Sequence, residues 1–317
     1  MDQPAVIPPA KKPFALLNIF KGMAENPVIL KELRARMRGR RAFIFLTFYL
    51  VVISLFIGAI YATLAGQGSL AQWDPEFRQN AGKIIFSSVI LFEFSMIGFI
   101  GPALTAGAIT SEREHQTFDL LRTTLLSARA LVFGKLGSAC MYLFLLILTA
   151  LPIEALAFLL GGVGLEELLV SSLILVANIL FFCALGLFCS SFMKRTLTAT
   201  VTSYTTILLS MLALGLVTFV ITFYAAASNF NSVSSPALMD LLMATLWLMA
   251  STNPFTAAIV SEIFLIQNQS LFLVSIPMSS GNTVYLLSPW ILHVVLYLAL
   301  TALMIFLTVV FVKRPDR

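Results

Sequence analysis

The sequence predicts an all-α membrane protein: six transmembrane helices, a re-entrant helical hairpin before the last of them, and both termini cytoplasmic. Three observations predict it. Apolar runs of about 20 residues, the length that crosses a hydrocarbon core roughly 30 Å thick, recur along the chain. The composition is 59% hydrophobic and 11% charged over 317 residues, with a mean hydropathy of +0.95, which a soluble chain of that size would not tolerate on its surface. Finally, Lys and Arg gather in the gaps that one orientation places inside.

Residues 1–41 form a cytoplasmic region, and 42–317 the membrane domain. In the first, Asn26-Pro27 is a helix-start pair, a capping side chain followed by a residue with its φ preset. Ile29, Leu33 and Met37 then repeat at i, i+4, i+8 while Lys31, Arg34, Arg36 and Arg38 spread over the other faces, as in a basic helix on the inner leaflet. It serves as an anchor or as a partner contact. The spans follow at about 42–65, 84–109, 131–160, 168–192, 197–227 and 289–312. The first apolar run starts late and at full length, so no signal peptide is expected.

Placing the N-terminus inside puts 18 of the 20 basic residues in the cytoplasm, leaving out only Arg78 and Lys83. That is the positive-inside asymmetry, and the opposite orientation would invert it. The net +5 therefore reports orientation and anionic lipid, and no nucleic-acid partner is expected. Cys140, Cys183 and Cys189 lie inside spans without CxxC spacing, which favours packing over a disulfide framework or metal site.

Five crossings leave the chain outside after residue 227, and the basic C-terminal tail needs one more. The apolar stretch from about 236 to 272 should then make no net crossing. At its centre Asn253-Pro254 disfavours helix and removes a backbone donor. The half-helix 237–252 would be about 24 Å long, short for a span. The expectation is a hairpin dipping in from the external face with its non-helical tip buried against protein; the alternative is an ordinary span with the termini reassigned.

The gap at 111–127 carries the most distinctive string. Ser111 and Glu114 fit a capping box, Phe118, Leu121 and Leu125 fall on one face of a short helix, and Ser127 can cap the third span. This is either a compact knob suited to docking or a solvated loop with ordinary capping.

The run Gly107-Ala-Ile-Thr-Ser-Glu-Arg-Glu-His-Gln-Thr-Phe-Asp-Leu-Leu-Arg-Thr-Thr-Leu-Leu-Ser, with Gly134-Lys135 after it, resembles the coupling-helix region of ABC-2 type permeases, the membrane subunits of ATP-binding-cassette exporters. The opening from Asn26 to Arg38 also looks like the start of such permeases, and the likeness covers essentially the whole chain. Gln116 stands where the family usually has Gly, and Leu125 where it has Pro. The resemblance implies a permease in the plasma (inner) membrane, not itself an enzyme. It pairs with a second copy, identical or paralogous, and couples to a separate ATPase subunit that holds ATP and Mg. No phosphate-binding loop occurs in the sequence, since Gly134-Lys135-Leu136 lacks the upstream Gly and the hydroxyl. On the same resemblance, residues 112–126 are the lever. Glu112, Arg113, Glu114, Thr117, Asp119 and Arg122 supply polar contacts to the ATPase, and Phe118, Leu121 and Leu125 its apolar contacts.

Acids inside the membrane are costly and mark candidate functional sites. Glu93, Glu154, Asp240 and Glu262 all fall in the external half, and the expectation is a hydrated external vestibule, or else packing residues with local partners. Trp73, Trp247 and Trp290 map to the external side as interfacial anchors. Gly98, Pro102 and Ala106 put small residues on one face of the second span, permitting close helix contact. His115 and His293 lack metal-ligand spacing. A secondary transporter would show an internal repeat with paired broken helices, and only one broken segment is found. A scaffold or receptor subunit of a larger complex stays open as an alternative.

Overall fold

Residues 27–37, 40–66, 75–118, 127–227, 236–268, 271–277 and 283–313 are described by the computed structural model. They form ten helices and one two-stranded sheet: α1 Pro27–Met37, α2 Arg40–Ala65, α3 Pro75–Thr105, α4 Thr110–Glu114, α5 Ala128–Leu159, α6 Leu165–Phe192, α7 Thr196–Ala227, α8 Pro236–Thr252, α9 Pro254–Asn268, β1 Leu273–Pro277, β2 Thr283–Leu287 and α10 Pro289–Lys313. Five of these, α2, α3 with its continuation into α4, α5, α6 and α10, contain runs long and apolar enough to cross a membrane. Helix α7 is 32 residues long, with a described apolar stretch over Thr196–Leu212.

Local chemistry accounts for the helix ends. Ser127 accepts a hydrogen bond from the Ala130 backbone N–H at 3.2 Å and caps α5 as its sequence position suggests. Pro75, Pro236, Pro254 and Pro289 each stand at a first helical position, where a missing N–H costs nothing. Helix α3 begins nine residues before the apolar run, because the polar stretch 75–83 continues the helix beyond it.

Helix α6 is the centre of the bundle, packing against α3, α5, α7 and α10. Its contact with α3 is close because small residues face each other. A Cβ on Gly186 would meet the Thr105 hydroxyl, Pro102 Cα at 3.1 Å and the Ala106 nitrogen at 3.3 Å. The small-residue stripe of the second span is thus where α6 approaches. Phe94, Phe182 and Phe255 close the neighbouring layer through edge-on ring contacts.

The apolar segment before α10 breaks at Asn253 into two successive helices, α8 and α9, which touch each other and α10. Its tip is buried, with Ser251 2% and Asn253 4% exposed. Asn253 Oδ1 accepts from the Phe255 N–H at 3.0 Å, capping the start of α9, where Pro254 has no N–H to satisfy. The carbonyls left over at the end of α8 find donors on α10: the Tyr297 hydroxyl donates to Thr252 O at 3.3 Å, and His293 Nδ1 lies 3.1 Å from Ser251 O. A carbonyl only accepts, so Nδ1 carries the ring proton and Nε2 accepts from Asn178 Nδ2 at 3.2 Å. The same amide donates to Ile174 O at 2.7 Å, which ties the tip to α6.

The sequence reading did not foresee the strands. β1 and β2 pair antiparallel with Leu273 opposite Leu287 and Pro277 opposite Thr283, and their Val, Ile, Thr and Tyr content suits a pleated ribbon. Trp247 donates to Leu287 O at 2.9 Å and Trp290 to Leu271 O at 2.8 Å. Both indoles therefore clasp the ends of this ribbon; Trp73 lies outside the described residues.

Candidate functional site

The polar step between α3 and α5 is assembled from four helices. Helix α4 has no side-chain cap of its own. The capping box read from Ser111 and Glu114 does not form, because Ser111 falls inside α4 with its N–H donating to Gly107 O at 3.0 Å and the Glu114 carboxyl is engaged elsewhere. Ser190 of α6 accepts from the N–H groups of Ile109 and Thr110 at 2.9 and 3.0 Å, supplying the acceptors that a helix start needs. Glu114 instead reaches α7, accepting from the Thr196 N–H at 2.7 Å and its hydroxyl at 2.8 Å. Those two bonds, the backbone one first, hold the Glu114 carboxyl below its ordinary value of 4.5.

Arg113 turns inward. Its Nη1 donates to Met193 O at 3.0 Å, and its guanidinium lies 5.1 Å from the centre of the Phe118 ring, within cation–π range. Phe118 is 3% exposed and packs in the main core. It was expected to fill a groove on a partner; it is instead an internal anchor. Thr117 closes the turn, its N–H and hydroxyl both donating to Glu112 O at 2.9 and 3.2 Å. Gln116 has φ +58°, the left-handed conformation that explains why a Gly suits this position. Glu114, His115, Gln116 and Thr117 remain exposed. Asp119, Leu121, Arg122 and Leu125 lie outside the described residues.

A partly buried ionic chain centred on a buried lysine runs behind this surface. Lys135 of α5, 4% exposed, donates to Glu112 Oε1 at 2.6 Å and to Glu32 Oε1 at 3.1 Å. Ser138 donates to Glu32 Oε2 at 3.4 Å. Arg36 lies 3.8 Å from Glu32 and donates to Leu104 O at 3.0 Å, at the end of α3. Two acids and two bases thus balance in charge and lock α1, α3, α4 and α5 together. A buried ion is tolerated when paired in this way and is costly when orphaned. Among the residues expected on the basic helix, Arg36 belongs to this chain, Lys31 and Arg34 are exposed, and Arg38 is outside the described residues. Glu32, Lys135, Ser138, Ser190 and Thr196 were missed as site residues. The usable signal was a lysine several residues inside an apolar helix and a single acid in a basic one.

Two of the four intramembrane acids, Glu93 and Glu154, do not open onto a vestibule within this chain. Glu93 and Glu154 are each 1% exposed, closed in by the packing of α2, α3 and α5. Asp240 is half-buried on α8, and Glu262 is on α9, where its side chain is not described. Among the described residues, no group of three or more His, Cys, Asp or Glu could hold a metal ion.

With this geometry in place, comparison with protein families gives a match to the ABC-2 family transporter proteins over residues 27–316. Comparison with curated proteins gives no match.

Proposed function

The chain belongs to the ABC-2 family transporter proteins, and on that premise we propose that it is the permease subunit of an exporter, driven by ATP hydrolysis on a separate ATPase subunit. It is a multi-pass membrane component of a transporter and not itself the catalytic part. In the proposed arrangement α2, α3, α5, α6, α7 and α10 are the six spans, α8 and α9 re-enter from the external face, and both termini are cytoplasmic. A second permease copy, identical or paralogous, completes the path through the inner membrane.

The observation that carries this reading is the ionic chain from Glu32 through Lys135 to Glu112. It makes the exposed surface from Glu114 to Thr117 a rigid extension of α1, α3 and α5, so a push received there moves whole spans. Arg113 and Phe118 brace that surface from behind.

Single cysteines placed by His115→Cys and Thr117→Cys test it. In membranes holding the full complex each should cross-link to a nucleotide-binding subunit that co-purifies with the chain, and the yield should change on adding ATP. Labelling of either cysteine from the external face of intact cells would overturn the assignment. ATP-dependent movement of cargo into inverted vesicles separates a working exporter from a scaffold.

A further inference from the structure

Two acids that this transport reading leaves unused stand inside the bundle. Glu93 comes from α3 and Glu154 from α5, both essentially without exposure. Tyr49 of α2, also buried, donates its hydroxyl to Glu93 Oε1 at 3.3 Å. The other Glu93 oxygen and both Glu154 oxygens are buried with no donor among the described residues. The two carboxyls face each other within hydrogen-bonding reach. As carboxylates both could only accept, so a bond between them requires a proton.

The enclosure is apolar above and below. One helical turn away on the same faces lie Val89 and Ile97 for Glu93, Ala150 and Ala157 for Glu154, and Ile53 for Tyr49, all buried. Among the described residues, the groups that act electrostatically on the pair are each other and Tyr49, with no basic side chain among them. No ion pair of the described residues includes either acid. Two ionised carboxylates sharing a dry site repel each other and each lacks solvation, whereas one shared proton turns two orphans into a donor and an acceptor.

We propose that Glu93 and Glu154 form an intramembrane proton-binding site in which a single proton is held between the two carboxyls and the Tyr49 hydroxyl braces the accepting one. The site ties α2, α3 and α5 together only while it is occupied. Pro152 lies two residues before Glu154 inside α5 and removes the bond that would otherwise stiffen that turn, so α5 can yield there when the proton leaves. The inference does not depend on the proposed exporter role.

Infrared spectra of the full chain in lipid nanodiscs test it. At neutral pH the wild type should show the carbonyl stretch of a protonated carboxyl in an apolar setting. Glu93→Gln and Glu154→Gln should each remove or shift that band, Tyr49→Phe should shift it without removing it, and sodium at constant ionic strength should leave it unchanged. Absence of the band in the wild type would overturn the proposal whatever the variants do. So would a band untouched by both glutamine variants, or one that disappears on adding sodium, which would mark a metal-cation site.

Discussion

Replacing Lys135 by methionine removes the centre of the ionic chain while keeping the length of the side chain and its packing. Two charge-assisted hydrogen bonds are lost, at 2.6 and 3.1 Å, each contributing about 1.5–3 kcal/mol in such settings. The gross loss of about 3–6 kcal/mol is an upper figure, because Glu32 and Glu112 are 24% and 23% exposed on their side chains and can turn toward water. Arg36 also stays beside Glu32. A net destabilisation of about 2–4 kcal/mol remains, which is roughly thirty- to several-hundred-fold in the unfolding equilibrium. Heat denaturation of the purified full chain in detergent, read against wild type, measures it. The triple variant Lys135→Met, Glu32→Gln, Glu112→Gln should recover most of the loss, since no charge is then stranded. A single variant within about 0.5 kcal/mol of wild type, the ordinary range for a surface change, would refute the view that this lysine holds α1, α4 and α5 together.

Glu114 should confer stability that is fully present above pH 4.5 and lost as pH falls through its lower folded value; Glu114→Gln should weaken the protein at neutral pH and flatten the acid limb of its stability profile, and parallel acid limbs would count against the Thr196 contact. Gln116→Gly removes a Cβ from a left-handed residue, relief of about 1–2 kcal/mol offset by about 0.5–1 kcal/mol of added freedom in the unfolded chain; the variant should be as stable as wild type or up to about 1.5 kcal/mol more so by the same denaturation assay. His293→Leu leaves Ser251 O without its donor and takes one of two acceptors from the Asn178 amide, and should destabilise by about 2–4 kcal/mol, with a cysteine at Ser251 becoming accessible to a thiol reagent as the hairpin tip lifts from α10.

How much of this could be read without coordinates depends on how far each force reaches along the chain. Ser127 caps the helix that follows it, and Asn253-Pro254 breaks the helix where it stands, because both effects act within one turn. The strands at 273–277 and 283–287 were hidden by the same apolar composition that marks the helices around them, since a short apolar run has no period that separates strand from helix. The capping box at Ser111 and Glu114 was a sound local pattern that lost because the helix already starts at Thr110, ahead of Ser111, and Glu114 found a distant partner in Thr196.

Hydropathy and the distribution of Lys and Arg were sufficient to determine a bundle of apolar helices, to predict its orientation, and to set apart the polar gap at 111–127, because burial in lipid and the location of charge are properties of each segment taken alone. Tertiary structure decided which groups meet. Lys135 finds Glu32 across 103 positions, Ser190 finds Thr110 across 80, Glu114 finds Thr196 across 82, and Phe118, which the family resemblance assigned to a partner's surface, ends inside the core. Periodicity states which side of a helix avoids water; only the packing of one helix on another states which neighbour that side touches.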